Sequence, residues 1–382
     1  MIAVRNEVWN EESCSAINVV IAMTGIEREP PSDRVMPRNP STGGYGAYMK
    51  NTLWFDYQIF IFLLALISFP SYLRAQTSGD KRSVVVGYAT HSGIQTPLWI
   101  AKDSGIFKKH RLDVELVWIQ GGPRVVQALI AGNIDFGTTG GPDPVSALLG
   151  GAQIKIIASN HNSMDAAIIA DKNITRPAEL KGKKFAAGVI GSTGYLRAEF
   201  ALRRWGLEPN RDVFLVPLGN TPTRFTALQS AQVSATLVSP PEDFMAKKMG
   251  YNIIGSLNDV EYLNNVVIVS SKAAQQSEMI ESFLKGLIEG IWFLKNKRAE
   301  SIQIMSRRLK YKDGDALDYT YQHYATTVRP KPYPTSDGTQ MLLSEIAKKD
   351  SRARNVDPAG FFDLRYLKSI DDSGFIDSLY KR

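Results

Sequence analysis

The stretch Gly121–Asp143, GGPRVVQALIAGNIDFGTTGGPD, returns 99 residues later as Asn220–Glu242, NTPTRFTALQSAQVSATLVSPPE. Pro123 matches Pro222, Ala128-Leu129 match Ala227-Leu228, and Ile134 matches Val233. Pro142 matches Pro241 and Asp143 matches Glu242, all in one register without a gap. Each copy reads as a loop, a short helix, a tight turn, a short strand and a Pro-containing loop. The spacing is too long for a solenoid, whose repeats run roughly 20 to 50 residues. Two copies of one α/β unit imply two similar lobes, and the cleft between lobes is a natural place for a small ligand.

The residues around the repeat extend this pattern. Ser83–Tyr88, Leu112–Trp118 and Ile154–Ala158 read as strands, with a helix over Pro97–Lys102 ended by Gly105. A second alternating block places strands at Lys184–Ala187, Val213–Val216 and Ala235–Val238, and helices at Thr193–Trp205 and Arg224–Ser230. Alternation of this kind predicts α/β layers with mostly parallel sheets flanked by helices. Two β-branched runs of similar character, Ala166–Ala170 and Asn265–Ser270, read as the crossings between lobes. Lobe I is therefore expected over 83–172 plus 265–382, and lobe II over 173–264. Beyond Lys272, Glu278–Arg308 carries apolar residues at helical spacing and is expected to pack on lobe I. Pro330–Pro334 is a loop, and Phe361–Leu367 and Phe375–Tyr380 are short helical pieces.

The N-terminal part has a different character. Residues 1–48 are polar and rich in Pro and Gly, and read as an extension from a start placed too far upstream. Met49-Lys50 is followed by the apolar run Ile59–Phe69 and then by Leu73-Arg74-Ala75-Gln76. This is the layout of a secretory signal peptide over 49–75, cleaved after Ala75. The run is shorter than the roughly 20 residues of a membrane span, and a membrane-retained anchor is the alternative. The reading places the mature protein in the periplasm.

Composition narrows the function classes. Among 382 residues, 44% are hydrophobic and 22% charged, as in ordinary globular proteins. The net charge of +7 favours anionic partners, but no basic run has the interleaved aromatics or helix-turn-helix pattern of a nucleic-acid reader. Cys14 is the one cysteine, so no intrachain disulfide forms, and the four histidines lack metal-ligand spacing. No cofactor, metal or nucleic acid is expected.

Open α/β sheets bind ligands beyond the carboxyl ends of their strands. Six loops stand there: Ala89–Pro97 with His91, Ser92, Gly93 and Gln95; Thr138–Asp143 with Thr139 and Gly140; Ser159–Asn162 with Asn160; Gly191–Gly194 with Ser192 and Thr193; Asn220–Arg224 with Asn220 and Thr221; and Ser239–Glu242. Gly191-Ser192-Thr193-Gly194 opens a helix whose N-terminus suits an anion. Each loop also has the plainer reading of helix capping; six at corresponding points of two lobes favour a shared ligand. No Lys follows Gly191–Gly194, so it is not a nucleotide-binding P-loop, and no G-x-S-x-G marks an esterase elbow.

Pro97–Phe107 (PLWIAKDSGIF), Ala128-Leu129-x-x-Gly132-x-x-Asp135, Leu180–Lys184 and Gly191-Ser192-Thr193 together resemble the periplasmic substrate-binding proteins of ABC importers. The branch is the one handling aliphatic sulfonates, nitrate, taurine and thiamine-pyrimidine precursors, and the resemblance covers 83–330. It implies a type II two-lobe fold that closes on its solute by bending at two hinge crossings, a membrane permease as partner, and a monomer. It implies ligand contacts at Ser92-Gly93, Gln95, Thr139-Gly140, Ser192-Thr193, Asn220 and Thr221; His91, Asn160 and Glu242 join them from the loop reading. Solutes in this branch are often anionic and held by backbone N–H groups and hydroxyls. Some relatives are enzymes that make a thiamine pyrimidine with a Cys-rich motif and a His; the absence of Cys after Ala75 counts against that activity here. A ligand sensor serving a membrane receptor is the remaining alternative.

Overall fold

The computed structural model describes residues 82–381. The expected extension over 1–48 with Cys14, and the expected signal segment over 49–75, lie outside the described residues. Alternating burial along Leu112–Trp118 and continuous burial along Phe136–Thr139 mark an edge strand and an interior strand of one sheet. That sheet holds β1 (Arg82–Tyr88), β2 (Leu112–Trp118), β3 (Phe136–Thr139), β4 (Ile154–Ser159) and β10 (Val266–Ser270) in the order β2-β1-β3-β10-β4. The second holds β5 (Ala167–Ala170), β6 (Lys184–Ala187), β7 (Phe214–Pro217), β8 (Ala235–Val238) and β9 (Asn252–Ser256) in the order β7-β6-β8-β5-β9. The two orders describe one topology used twice. In each sheet the fourth strand, β10 or β5, is antiparallel to both neighbours, and the pairs β1–β2, β1–β3, β6–β7 and β6–β8 are parallel.

The sequence repeat is structural. Helix α3 (Gly122–Ile130), β3 and helix α4 (Pro142–Leu149) correspond to α6 (Thr221–Gln229), β8 and α7 (Glu242–Lys248). Each element of the second copy lies 99 residues after its counterpart, except that α7 begins one residue late. Pro stands in the first turn of α3, α4 and α6, where its missing N–H costs nothing.

Both crossings differ from the expectation. Ala167–Ala170 pairs with β8 and β9 and belongs to the second sheet, so the first crossing runs through 160–166 and lobe II begins upstream of 173. The run AIIA is buried along its whole length, and uniform apolar character carries no sign of which sheet receives it. The second crossing leads from β9 to β10 through Leu257–Asn265; of the run Asn265–Ser270 expected to cross, Val266–Ser270 is itself β10, paired with β3 and β4 inside the first sheet.

The other helices are α1 (Thr96–Asp103), α2 (Ile106–Lys109), α5 (Thr193–Arg204), α8 (Ser277–Asn296), α9 (Arg298–Leu309), α10 (Gly314–Thr327), α11 (Ser336–Ala347), α12 (Arg365–Asp372) and α13 (Phe375–Tyr380). The expected run Glu278–Arg308 is two helices, broken at Lys297, whose φ of −122° and ψ of 68° leave the helical region. Helix α8 buries Phe283, Leu284, Leu287, Ile288 and Ile291 in the lobe I core. The Phe283 ring stacks on Phe136 of β3, with centroids 4.0 Å apart. Each such side chain contributes about 1.5–3 kcal/mol through burial. Helix α8 lies close to α1 because Gly290 faces the Pro97 carbonyl, where a Cβ would stand 2.4 Å from the oxygen. Helices α10 and α11 have no counterpart in the sequence expectations. Helix α10 runs along the crossings, and α11 buries Leu342, Leu343 and Ile346 beside Tyr262 and Leu263 of the second crossing. Among the described residues no helix is long and apolar enough to cross a membrane.

Candidate ligand-binding cleft

The repeat decides what faces the space between lobes. Strands β1, β3, β6 and β8 end there, and the loops that follow carry small and hydroxylated residues. From lobe I come Thr90-His91-Ser92, Gln120–Gly122, Thr139-Gly140 and Asp143; from lobe II come Gly188-Val189, Ser192–Gly194, Gly219–Pro222 and Ser239. Of the residues expected at the site, His91, Ser92, Thr139, Gly140, Ser192, Thr193, Asn220 and Thr221 line this one cavity.

Four expected residues do not line it. Gly93 faces α10 instead, where a Cβ would meet the Tyr324 ring at 2.4 Å; its smallness serves packing. Gln95 lies one layer below the wall. It donates to Thr90 Oγ1 (3.3 Å) and Asn265 Oδ1 (3.2 Å) and accepts from Thr138 Oγ1 (3.2 Å). Asn160 accepts from Asn265 Nδ2 at 3.0 Å, so it positions Asn265, which does line the cavity. Glu242 is buried at the start of α7, and Tyr311 Oη donates to it at 3.3 Å. Burial pushes its carboxyl up to about 7.

Of the charged residues of the wall, Arg197 escaped the sequence reading, while Asp143 and Arg224 close two of the expected loops without being singled out as contacts. Asp143 is 5% exposed and sits where α3 and α5 both begin. Its Oδ2 accepts from Thr139 Oγ1 at 2.6 Å and from Thr193 Oγ1 at 3.2 Å, and it faces the Thr193 backbone N–H. Gly122 makes room for it, since a Cβ there would lie 1.8 Å from Oδ2. The helix terminus expected to receive a ligand anion therefore already holds a carboxylate of the chain. Burial raises that carboxyl to about 6, against the hydrogen bonds from Thr139 and Thr193 that favour its ionised form. Its Oδ1 has no hydrogen-bond partner.

Lobe II contributes Arg197 from α5 and Arg224 from α6, which are 9% and 5% exposed. Arg197 Nη2 donates to Asn264 Oδ1 at 2.6 Å, and Arg224 Nη2 donates to Thr221 Oγ1 and the Leu237 carbonyl. Neither forms a salt bridge among the described residues, and the Nε of each has no partner. Burial lowers both guanidinium pKa values, that of Arg224 to about 10, with the neighbouring Arg197 charge adding to the effect. Asp143 and Asp165 act on Arg197, and Glu242 on Arg224, from beyond salt-bridge distance; two buried cations without a direct ion-pair contact beside one cavity favour an anion that joins them.

A polar network ties the cleft to both crossings. Asn264, in the second crossing, links Arg197 to the Ser163 carbonyl (2.8 Å) and to His161 Nδ1 (3.3 Å) in the first. His161 Nε2 meets Thr327 Oγ1 of α10 at 3.1 Å. Asp165, held at φ +46°, bonds His323 Nε2 at 2.7 Å and Tyr324 Oη at 3.0 Å. Burial would raise the Asp165 carboxyl, but the His323 bond and nearby cations carry it well below the usual range. Burial keeps His161 neutral near 4. His161, Asp165 and His323 have donor atoms within 4.8 Å of one another, yet each is already engaged within the protein, so the cluster acts as a brace for the crossing.

Residues 94–301 match the model of a family described as NMT1/THI5 like. The chain belongs to the NMT1/THI5-like family. It is 33% identical over 172 residues to a binding protein of Brucella abortus (strain 2308), covering 45% of this chain and 51% of that one. The match thus spans about half the length of that curated relative. It is 25% identical over 269 residues to the taurine-binding periplasmic protein of Escherichia coli (strain K12), covering 66% and 79%. Among solved structures it resembles the alkanesulfonate-binding protein SsuA from Xanthomonas axonopodis pv. citri bound to MOPS. That match has a TM-score of 0.60 and 18% identity, and covers 73% of this chain and 96% of that one. The fold is that of the periplasmic binding proteins, two mixed sheets flanked by helices.

Proposed function

We propose that this member of the NMT1/THI5-like family is an extracytoplasmic solute-binding protein. Its lobes close on one small organic solute bearing an acidic group and present it to the permease of an ABC importer. The observation that carries the reading is the convergence of both lobes on one cavity that holds two buried guanidinium groups with no salt-bridge contact among the described residues and an unpartnered Nε on each. The solute's acid supplies the missing charge, and Ser92, Thr139, Ser192, Asn220 and Thr221 supply hydroxyl and amide contacts around it. The lobes hinge at 160–166 and 257–265, where Asn264 joins the two crossings to Arg197. The similar proteins that bind taurine and alkanesulfonate support a receptor without catalysis.

The receptor works as a monomer in the periplasm, exported by the segment 49–75. N-terminal sequencing of the exported protein then begins at Gln76; a start upstream of residue 49 contradicts this route. The binding function is tested by a thermal-shift screen of the purified protein against sulfonates, nitrate, amino acids, pyrimidines and aromatic acids. A ligand that binds only the folded state raises the midpoint by mass action. A screen in which none of these classes moves the midpoint counts against the receptor reading.

A further inference from the structure

The cleft is polarised, and its negative end has no assigned role. Lobe I offers Asp143, whose Oδ1 is without a partner, and lobe II offers Arg197 and Arg224, each with an Nε without a partner. All three side chains are at least nine-tenths buried. A solute carrying only an acidic group neutralises the lobe II end and leaves Asp143 facing it. It also finds the α5 N-terminus taken, because Asp143 Oδ2 already accepts from Thr193 and Thr139 there. A buried carboxylate oxygen without a donor is destabilising, and a second anion beside it is worse.

We propose that Asp143 is the specificity-determining residue of the cleft, and that it selects small dipolar solutes, amino-substituted acids whose ammonium donates to Asp143 while the acidic group meets Arg197 and Arg224. This rests on the receptor reading above and narrows its solute class. The ammonium satisfies Oδ1 and keeps Asp143 ionised, and the acidic group removes the repulsion between the two guanidinium groups. Thr139 and Gly122 fix the carboxylate so that it is presented rather than folded away: Thr139 bonds Oδ2, and Gly122 leaves the space it fills. The same position in the second copy of the repeat, Glu242, is turned into the protein toward Tyr311 and does not line the cavity. The repeat therefore supplies one acidic recognition group and not two.

The test is calorimetric titration of the purified protein with matched pairs that differ only in the ammonium: taurine and ethanesulfonate, β-alanine and propanoate, 4-aminobutanoate and butanoate. In at least one pair the amino member should bind about tenfold or more tightly than its parent acid, as a charge-assisted hydrogen bond in a dry site requires. Asp143→Asn, verified as folded by its melting curve, should bring that ratio close to one. Parent acids that bind as tightly as their amino partners overturn the proposal on the unmodified protein alone, whether or not the variant folds. A preference that survives Asp143→Asn also overturns it, as does a solute screen that yields only plain anions. Silence across both the pairs and the wider screen overturns the receptor reading itself, which separates the two failures.

Discussion

Thr193 Oγ1 of lobe II donates to Asp143 Oδ2 of lobe I across 3.2 Å, so one hydrogen bond joins the lobes at the floor of the cleft. Asp143 is also held within its own lobe by Thr139. Thr193→Val deletes the inter-lobe donor and keeps the shape of the side chain. A net loss of about 1 kcal/mol in the closed state corresponds to roughly fivefold weaker solute binding. Calorimetry should show that loss with the melting temperature of the free protein little changed. Thr193→Asp sets a second carboxylate against Asp143 and should abolish binding altogether.

Gly140 tests closure separately from folding. A Cβ at Gly140 would stand 1.8 Å from Thr193 Oγ1, on the opposite lobe. Gly140→Ala therefore obstructs the closed arrangement and leaves each lobe's own packing alone. Small-angle scattering should give a larger radius of gyration than the unaltered protein, and solute binding should be lost. A variant that scatters and binds like the parent would remove this pair from the closure mechanism.

Asn264 tests the crossings. It accepts from Arg197 at 2.6 Å and donates to the Ser163 carbonyl at 2.8 Å. Asn264→Ala strands a buried guanidinium and a buried carbonyl, at a cost of about 2–3 kcal/mol. Urea denaturation should show that loss as a lower midpoint, and solute affinity should fall as well because Arg197 loses its support.

Stability should fall as pH rises through neutrality. Burial lifts Glu242 from 4.5 to about 7, with Asp243, Arg224 and Tyr311 as its charged and titratable neighbours. The folded protein then holds a proton that the unfolded chain gives up, so stability declines as pH rises from the ordinary glutamate value to about 7. Asp143 acts the same way between 3.8 and about 6. Asp165 acts in the opposite sense: its depressed pKa stabilises the fold above the ordinary aspartate value, and that contribution is lost on acidification. His323, raised through its bond to Asp165, contributes below 6.5 and loses its contribution as pH rises past its folded value. His161, held near 4 by burial, opposes the decline up to 6.5, so melting temperatures should fall most clearly between about 6.5 and 7 and level off toward pH 8, and Glu242→Gln should flatten that fall.

The lobes and their loops were legible because they depend on local signals. The repeat predicted the order α3-β3-α4 and α6-β8-α7, with α6 starting three residues before its expected bound and β8 as expected, and eight of twelve expected site residues reach the cavity. What escaped depends on distant partners. Thr193 and Asp143 are 50 residues apart and Arg197 and Asn264 are 67 apart, and no periodicity links such pairs. Arg197 and Arg224 stand inside helices, where a basic residue reads as solvated surface until the fold turns it inward. Gln95 and Asn160 were polar loop residues like their neighbours, and only the packing of Asn265 set them behind the wall. The strand Ala167–Ala170 changed lobe because it is apolar on both faces and gives no cue to its sheet.

The central claim is that both lobes grip one solute, and calorimetric titration of the unaltered protein beside Gly140→Ala tests it most directly. The account predicts a saturating one-to-one heat with at least one acidic organic solute, absent in a Gly140→Ala variant that keeps its melting temperature. Heat of the same size and affinity in that variant would contradict it.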